Sequence, residues 1–177
     1  MLKAFDGLRT PLKRRHILAS TAKRIYGAYW SEYFKFSFVR NPWDRMISLA
    51  RFPRWSGVSV SEDSINLSAY LKKFSDRELD YRSHSANEKL KPPIPEAVYL
   101  NILNEELDFI GRFEDLHEDF GFVCDKVGLQ HKQLPHVEKF RQSNRKPYSE
   151  YYNDETRQLV ADKYAKDIAE FGYKFKN

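Results

Sequence analysis

The stretch from Phe34 to Phe52, FKFSFVRNPWDRMISLARF, constrains the fold most, because it joins a predicted strand directly to a predicted helix. Phenylalanine alternates with other residues at Phe34, Phe36 and Phe38. This period of two predicts a strand with one buried face. Asn41 then suits a helix cap, and Pro42 suits the first helical turn. The segment therefore predicts a strand-to-helix turn at Arg40, beside the free backbone N–H groups of a new helix.

Arg40 has two interpretations at this position. Strand-to-helix turns of α/β folds are common anion sites, because the amides and the dipole at a helix N-terminus favour negative charge. Alternatively, Arg40 forms a surface ion-pair cluster with Asp44 and Arg45 at an ordinary strand–helix joint. The physical pattern alone leaves both interpretations open.

The composition indicates one soluble globular domain spanning residues 1–177. Hydrophobic residues make up 41% of the chain and aromatic residues 15%, which is enough for a core. No apolar run is long enough for a membrane span, and the N-terminus lacks a signal-peptide core. We therefore expect a soluble, cytoplasmic chain, although a longer parent form could be membrane-anchored. Cys124 is the single cysteine, which excludes an internal disulfide, and we expect it in the core.

The net charge of +5 favours an anionic ligand or partner. Basic residues interleave with aromatic ones, so a nucleic-acid-binding module is one candidate. The aromatic residues of the first strand fit a core instead, and the chain carries no recognised nucleic-acid motif. A nucleotide with several phosphates explains the same charge.

Apolar periodicity and turn residues divide the rest of the chain into alternating helices and strands. Helices are predicted from Ser20 or Thr21 to Gly27, across 42–51, around 67–74, from Leu116 to Gly128 and from Asn153 to Gly172. The last helix is expected to bury Leu159, Val160, Tyr164 and Ile168. Residues 107–111 form the second predicted strand, and residues 82–96 are either an excursion near an acceptor site or a plain loop. This order predicts an α/β fold, a parallel sheet flanked by helices, with the two strands as neighbours.

Three segments resemble the carbohydrate-type sulfotransferases. VRNPWDRMIS is similar to their 3′-phosphate-binding segment, in which an Arg, a Pro two residues later and a Ser eight residues after the Arg recur. Here those residues are Arg40, Pro42 and Ser48. Residues 108–129 resemble the family's second strand and following helix, and residues 134–175 resemble its closing pattern.

The resemblance implies a helix-rich, P-loop-type sulfotransferase architecture and an enzyme that uses 3′-phosphoadenosine 5′-phosphosulfate (PAPS). Such an enzyme moves a sulfuryl group from PAPS to a hydroxyl of a carbohydrate-type acceptor. The alternative is a non-catalytic basic module that binds a nucleotide or another polyanion. No metal is required for this transfer, and the histidines and Cys124 show no metal-ligand spacing.

The resemblance also assigns candidate site residues. Arg40 and Ser48 would anchor the 3′-phosphate through a charge-assisted fork and a hydroxyl. Arg112 follows the second strand as Arg40 follows the first, so it is either a nucleotide contact or an ion-pair partner of Glu114 or Asp115. The basic loop before Tyr148 makes Arg145 and Lys146 candidate phosphate contacts, although most basic loops are merely solvated.

His16 is the candidate base that removes the proton of the acceptor hydroxyl, since histidine titrates near neutral pH. Its position upstream of the first strand resembles that of a histidine in several family members. The alternative is a surface residue at the end of a basic run. His84 and His136 are weaker candidates, and His117 is expected to face water.

One family feature is missing from the sequence. The family opens with a strand and a Pro-Lys-x-Gly-x-Ser/Thr loop that wraps the 5′-phosphosulfate and supplies a lysine, and none of the seven glycines lies in such a pattern. The chain is then a piece or mis-started form of a longer enzyme, a binding remnant without turnover, or an enzyme whose basic N-terminus replaces the loop. We favour the first explanation, and expect weak or no activity from these residues alone.

Overall fold

The computed structural model describes residues 18–51, 66–71, 96–130, 134 and 146–176. Their elements are α1 (Ala19–Tyr26), β1 (Phe36–Val39), α2 (Pro42–Ala50), α3 (Tyr99–Ile102), β2 (Phe109–Arg112), α4 (Leu116–Val127), α5 (Asp154–Lys163) and α6 (Ala165–Phe171). Residues 67–71 are also helical, and single 3-10 turns lie at Gly27–Tyr29, Phe113–Asp115 and Tyr148–Tyr151. The described chain is helix-rich with a small parallel sheet, which is compatible with the predicted α/β class.

The two strands pair in parallel, as the sequence predicted. Phe36 lies opposite Phe109, and Val39 lies opposite Arg112. Gly111 is required at its position, because a Cβ there would come within 2.6 Å of the Phe38 ring. The second strand ends one residue later than predicted, at Arg112, so both strands end at the same edge.

The prediction that the phenylalanines of β1 form its buried face was wrong for Phe36. Phe36 is 42% exposed, whereas Val39 on the opposite face is 2% exposed and joins the main core. Phe122 of α4 packs on the phenylalanine face of the sheet. Its ring lies 4.7 Å from that of Phe109 and 6.4 Å from that of Phe34. The period of two was correct, but it did not identify the better-covered face.

The main core lies between α2, the helical residues 67–71 and the C-terminal helices. Its buried members include Trp43, Met46, Ile47 and Ala50 of α2, Leu67, Tyr70 and Leu71, and Val160 and Tyr164. Leu67, Tyr70 and Leu71 are buried as predicted for the apolar face of that helix, and the buried positions of α2 recur at the spacing of a helix face as well. Cys124 is also buried, as expected.

Helix α1 begins earlier than predicted, and its cap differs from the prediction. Leu18 is the N-cap and provides no side-chain hydrogen bond. Ser20 or Thr21 was expected to open the helix, but the N–H of Ser20 donates to Oδ1 of Asn104 and its hydroxyl oxygen accepts from Nδ2 of Asn104, each at 3.0 Å. A distant tertiary contact therefore uses the side chain that local sequence assigned to capping.

The closing helix is two helices that meet at Tyr164, not the single predicted helix. Asn153 and Thr156 form a capping box at the start of α5, as the sequence indicated, and Gly172 ends α6 with φ of 63°. Tyr164 is fully buried, and its hydroxyl contacts the sulfur of Met46 at 3.2 Å. Leu159 is 40% exposed, so its predicted burial was wrong.

Asp167 of α6 connects the C-terminal helices to α3. Its buried carboxylate accepts hydrogen bonds from the backbone N–H groups of Val98, Tyr99 and Leu100, at 2.6, 2.9 and 3.0 Å. These amides have no partner within so short a helix, so Asp167 acts as their cap. The contact fixes Tyr99, which in turn contacts the turn after β1.

Several predicted features lie outside the described residues. They are the catalytic candidate His16, the phosphate candidate Arg145, the weaker candidates His84 and His136, most of the segment 82–96 and residues 72–74.

Candidate functional site

The backbone of Arg40 is fixed by contacts from both sides of the turn. Its N–H donates to the hydroxyl of Tyr99 at 3.1 Å. Asn41 follows as the N-cap of α2, and its side-chain oxygen accepts from the N–H of Trp43 at 3.0 Å. The predicted strand, cap and helix therefore place Arg40 at the carboxyl edge of the sheet, where α/β folds hold their ligands.

The guanidinium of Arg40 is held by a carboxylate and a ring. Nε and Nη2 both contact Oδ2 of Asp44 at 2.6 Å, and the two side chains are only 15% and 17% exposed. The ring of Phe113, which directly follows β2, lies 4.3 Å from the guanidinium carbon. The Arg40 side chain is therefore held by Asp44, from the helix that follows it, and by Phe113, from the turn after β2.

The backbone N–H groups at the start of α2 are less available than the sequence suggested. The N–H of Asn41 donates to Oε1 of Glu114 at 2.7 Å. That of Trp43 is taken by the cap, and Pro42 has none. The expectation that the amides beside Arg40 are free was therefore wrong for Asn41, because its N–H donates to Glu114 from the neighbouring turn.

Arg112 shares the sheet edge with Arg40, but its side chain contacts other elements. Its guanidinium donates to the backbone oxygen of Phe171 and lies 5.0 Å from the ring of Tyr173. Among the described residues it forms no ion pair with Glu114 or Asp115, which was the alternative to a nucleotide contact. The predicted juxtaposition of the two turns is thus present, whereas the two guanidinium groups have separate surroundings.

Glu114 and Tyr173 link the two arginine turns. The hydroxyl of Tyr173 donates to Oε2 of Glu114 at 3.2 Å, while Oε1 accepts from Asn41. Burial raises the pKa of Tyr173, and the Glu114 carboxylate raises it further, so the phenol stays neutral and remains a donor. The sequence analysis missed Tyr173 as a site residue, and no local pattern pointed to it.

Ser48 and Lys146 occupy less constrained positions. Ser48 is half-buried on α2, four residues after Asp44, so the two side chains share a helix face. Lys146 is exposed just before the turn Tyr148–Tyr151. Of the predicted site residues that are described, Arg40 directly follows β1, Ser48 lies on α2, Arg112 is the last residue of β2, and Lys146 lies in a separate segment.

A concave region lies at the end of β1 opposite to Arg40. It encloses about 560 Å³ and is mostly apolar and aromatic. Its lining includes Tyr26, Trp30, Tyr33, Phe34, Phe36 and Leu103. Lys35 also borders it, but pairs with Asp108 at 2.6 Å. This groove is distinct from the edge that carries Arg40, since it surrounds the first residues of β1.

In the part of the chain that the structure describes, no group of three His, Cys, Asp or Glu side chains is arranged to hold a metal ion. Nor does that part contain a helix with the length and apolar character needed to cross a membrane.

Comparisons of the whole chain with family models, with curated proteins and with solved structures find no match. The chemistry of the site therefore rests on its own residues and on the segment resemblance.

Proposed function

We propose that this chain is a PAPS-dependent sulfotransferase domain of the carbohydrate type, with a P-loop-type architecture, and that Arg40 and Ser48 bind the 3′-phosphate of PAPS. The observation that carries the proposal is the ordered Arg40 guanidinium at the carboxyl edge of two parallel strands. The same residue begins the RNPWDRMIS segment that resembles the family's 3′-phosphate-binding motif.

The pairing of Arg40 with Asp44 is compatible with phosphate binding. A guanidinium has five N–H donors on two edges, and Asp44 contacts only the edge formed by Nε and Nη2. The described residues place no acceptor on Nη1, so the end-on edge can donate two parallel hydrogen bonds to a phosphate. Asp44 and Phe113 then hold the arginine in place, which lowers the entropy lost when the ligand binds.

Ser48 supplies a hydroxyl donor from the same helix. It follows Arg40 by eight residues and is half-buried on the same face of α2 as Asp44, the residue that pairs with Arg40. Arg112, Arg145 and Lys146 are secondary phosphate contacts in this proposal. Arg112 must leave the Phe171 carbonyl to reach a nucleotide, so we expect it to contribute less than Arg40.

The reaction itself requires positioning and charge neutralisation more than covalent chemistry. The acceptor oxygen attacks the sulfur of PAPS, the bond from sulfur to the 5′-phosphate oxygen breaks, and adenosine 3′,5′-bisphosphate leaves. His16 takes the acceptor proton in this proposal. Because the sequence has no Pro-Lys-x-Gly-x-Ser/Thr loop, we expect these 177 residues to bind the nucleotide better than they turn it over.

Calorimetric titration with adenosine 3′,5′-bisphosphate and with adenosine 5′-monophosphate tests the assignment of Arg40. Arg40→Ala should weaken bisphosphate binding by about 2–3 kcal/mol, roughly 30- to 150-fold, through loss of a charged contact. It should leave monophosphate binding almost unchanged, because that ligand has no 3′-phosphate. An equal loss for both ligands, or no loss for either, contradicts the assignment.

Arg157→Ala is the matched control. Arg157 also forms a helical ion pair, with Asp154 at 3.2 Å, and also lies over a ring, that of Phe175 at 5.6 Å. The substitution removes the same charge without removing a side-chain contact of Arg40, so bisphosphate affinity should stay within about twofold of wild type.

The basic-module alternative is tested with the same proteins. A nucleic-acid-binding module would bind single-stranded oligonucleotides with a steep dependence on salt, because it would release condensed counterions. Tight, salt-sensitive oligonucleotide binding together with weak bisphosphate binding would favour that alternative.

A further inference from the structure

We infer that Glu114 is a built-in competitor of the nucleotide phosphate, and that an anionic ligand must displace its carboxylate to engage the turn after β1. This inference rests on the function proposed above and concerns regulation of the same site. The geometry that carries it is the contact of Oε1 with the N–H of Asn41 at 2.7 Å. That amide directly follows Arg40, so a phosphate held by Arg40 arrives beside a carboxylate.

The position of Glu114 in the chain couples it to Arg40. Glu114 lies in the 3-10 turn Phe113–Asp115, next to the ring that supports the Arg40 guanidinium. The turn therefore supports the arginine through the Phe113 ring, whereas its Glu114 carboxylate repels an anionic ligand. A carboxylate and a phosphate cannot both use the Asn41 amide, and their like charges oppose simultaneous occupation.

Glu114 is held weakly enough to be displaced. The residue is exposed overall, so a rotated carboxylate can be solvated by water. Its second anchor, the Tyr173 hydroxyl, lies at 3.2 Å, longer than usual for an O–H donor to a carboxylate. The Glu114 carboxylate thus occupies the position of an anionic ligand, and a more strongly bound anion can displace it.

The experiment measures the affinity for adenosine 3′,5′-bisphosphate in wild type, Glu114→Gln and Tyr173→Phe. Glu114→Gln keeps an oxygen that can accept from Asn41 but removes the charge, so affinity should rise about three- to tenfold. Tyr173→Phe removes one anchor of the carboxylate and should raise affinity about twofold. The exposed Glu32→Gln, which makes the same charge change near the other end of β1, should match wild type.

The outcomes separate this inference from the proposed function. Wild-type binding that is unchanged or weakened in Glu114→Gln overturns the competitor role while leaving the nucleotide site intact. Failure of wild type and both variants to bind the bisphosphate overturns both proposals. If Glu114→Gln does not fold, Tyr173→Phe decides: higher affinity supports competition, and equal or lower affinity rejects it. A gain of the same size in Glu32→Gln also rejects it, because the effect would then be one of overall charge.

Discussion

Replacing Asp167 should destabilise the protein more than any surface charge change, because this carboxylate is the cap of α3. It is fully buried and accepts three backbone hydrogen bonds. In Asp167→Asn one carbonyl oxygen can retain the bonds from Val98 and Tyr99, but the new NH2 group then faces the N–H of Leu100. We expect the loss of charge and one donor–donor conflict to cost about 2–3 kcal/mol. Asp167→Ala removes every acceptor and should cost about 3–5 kcal/mol.

Urea unfolding followed by circular dichroism gives the free energy of unfolding and its denaturant slope for each variant. Glu170→Gln is the control, since Glu170 lies exposed on the same helix and its change should stay within about 0.5 kcal/mol of wild type. If Asp167→Asn and Asp167→Ala also stay within that range, the carboxylate does not satisfy buried amides and the capping argument fails.

Three further predictions follow from local geometry and burial. Gly111→Ala should destabilise the sheet by about 1–3 kcal/mol in chemical denaturation, because its Cβ would overlap the Phe38 ring, and Phe38→Leu should recover part of the loss. A Gly111→Ala protein as stable as wild type contradicts the overlap. Burial raises the pKa of Tyr152 and Tyr173 above the ordinary value near 10. Their contribution to stability is therefore complete below about pH 10 and falls at higher pH, where the unfolded chain ionises first. Tyrosinate absorbance should show at least two phenols that ionise only on unfolding, and normal titration of every tyrosine would refute this. Asn153→Ala should cost about 1 kcal/mol in thermal or urea unfolding through loss of the α5 cap, and no loss would show that the cap contributes little.

The features that the sequence predicted correctly depend on residues close together in the chain. Asn41 and Pro42 start α2, Gly128 ends α4 in the left-handed conformation, and Asn153 caps α5. Each of these signals acts within one helical turn, so short-range physics determines it. The parallel pairing of the strands was predictable because strand–helix alternation permits few arrangements.

The features that were missed depend on contacts across the chain. Glu114 reaches the amide of Asn41 over 73 residues, and Asp167 reaches Val98 over 69 residues. Neither contact leaves a local pattern, since a glutamate after a strand and an aspartate in a helix usually face water. The break at Tyr164 belongs to the same class, because its buried contact with Met46 joins residues that are 118 apart.

The charges at the sheet edge favour a ligand of defined shape over a general polyanion. Arg40 is paired with Asp44. Glu114 accepts from the N–H of Asn41 and from the hydroxyl of Tyr173, and the Tyr173 ring lies beside the guanidinium of Arg112. Arg40 and Arg112 are thus accompanied by the carboxylates of Asp44, Glu114 and Asp119, the last of which accepts from the N–H of Arg112, so the local field is much weaker than the net charge of +5 suggests. In the proposed site, a ligand would gain from this edge only by meeting the end-on side of Arg40 and displacing the Glu114 carboxylate. Binding of adenosine 3′,5′-bisphosphate should consequently depend less steeply on salt than oligonucleotide binding, because geometry rather than a diffuse positive surface selects it.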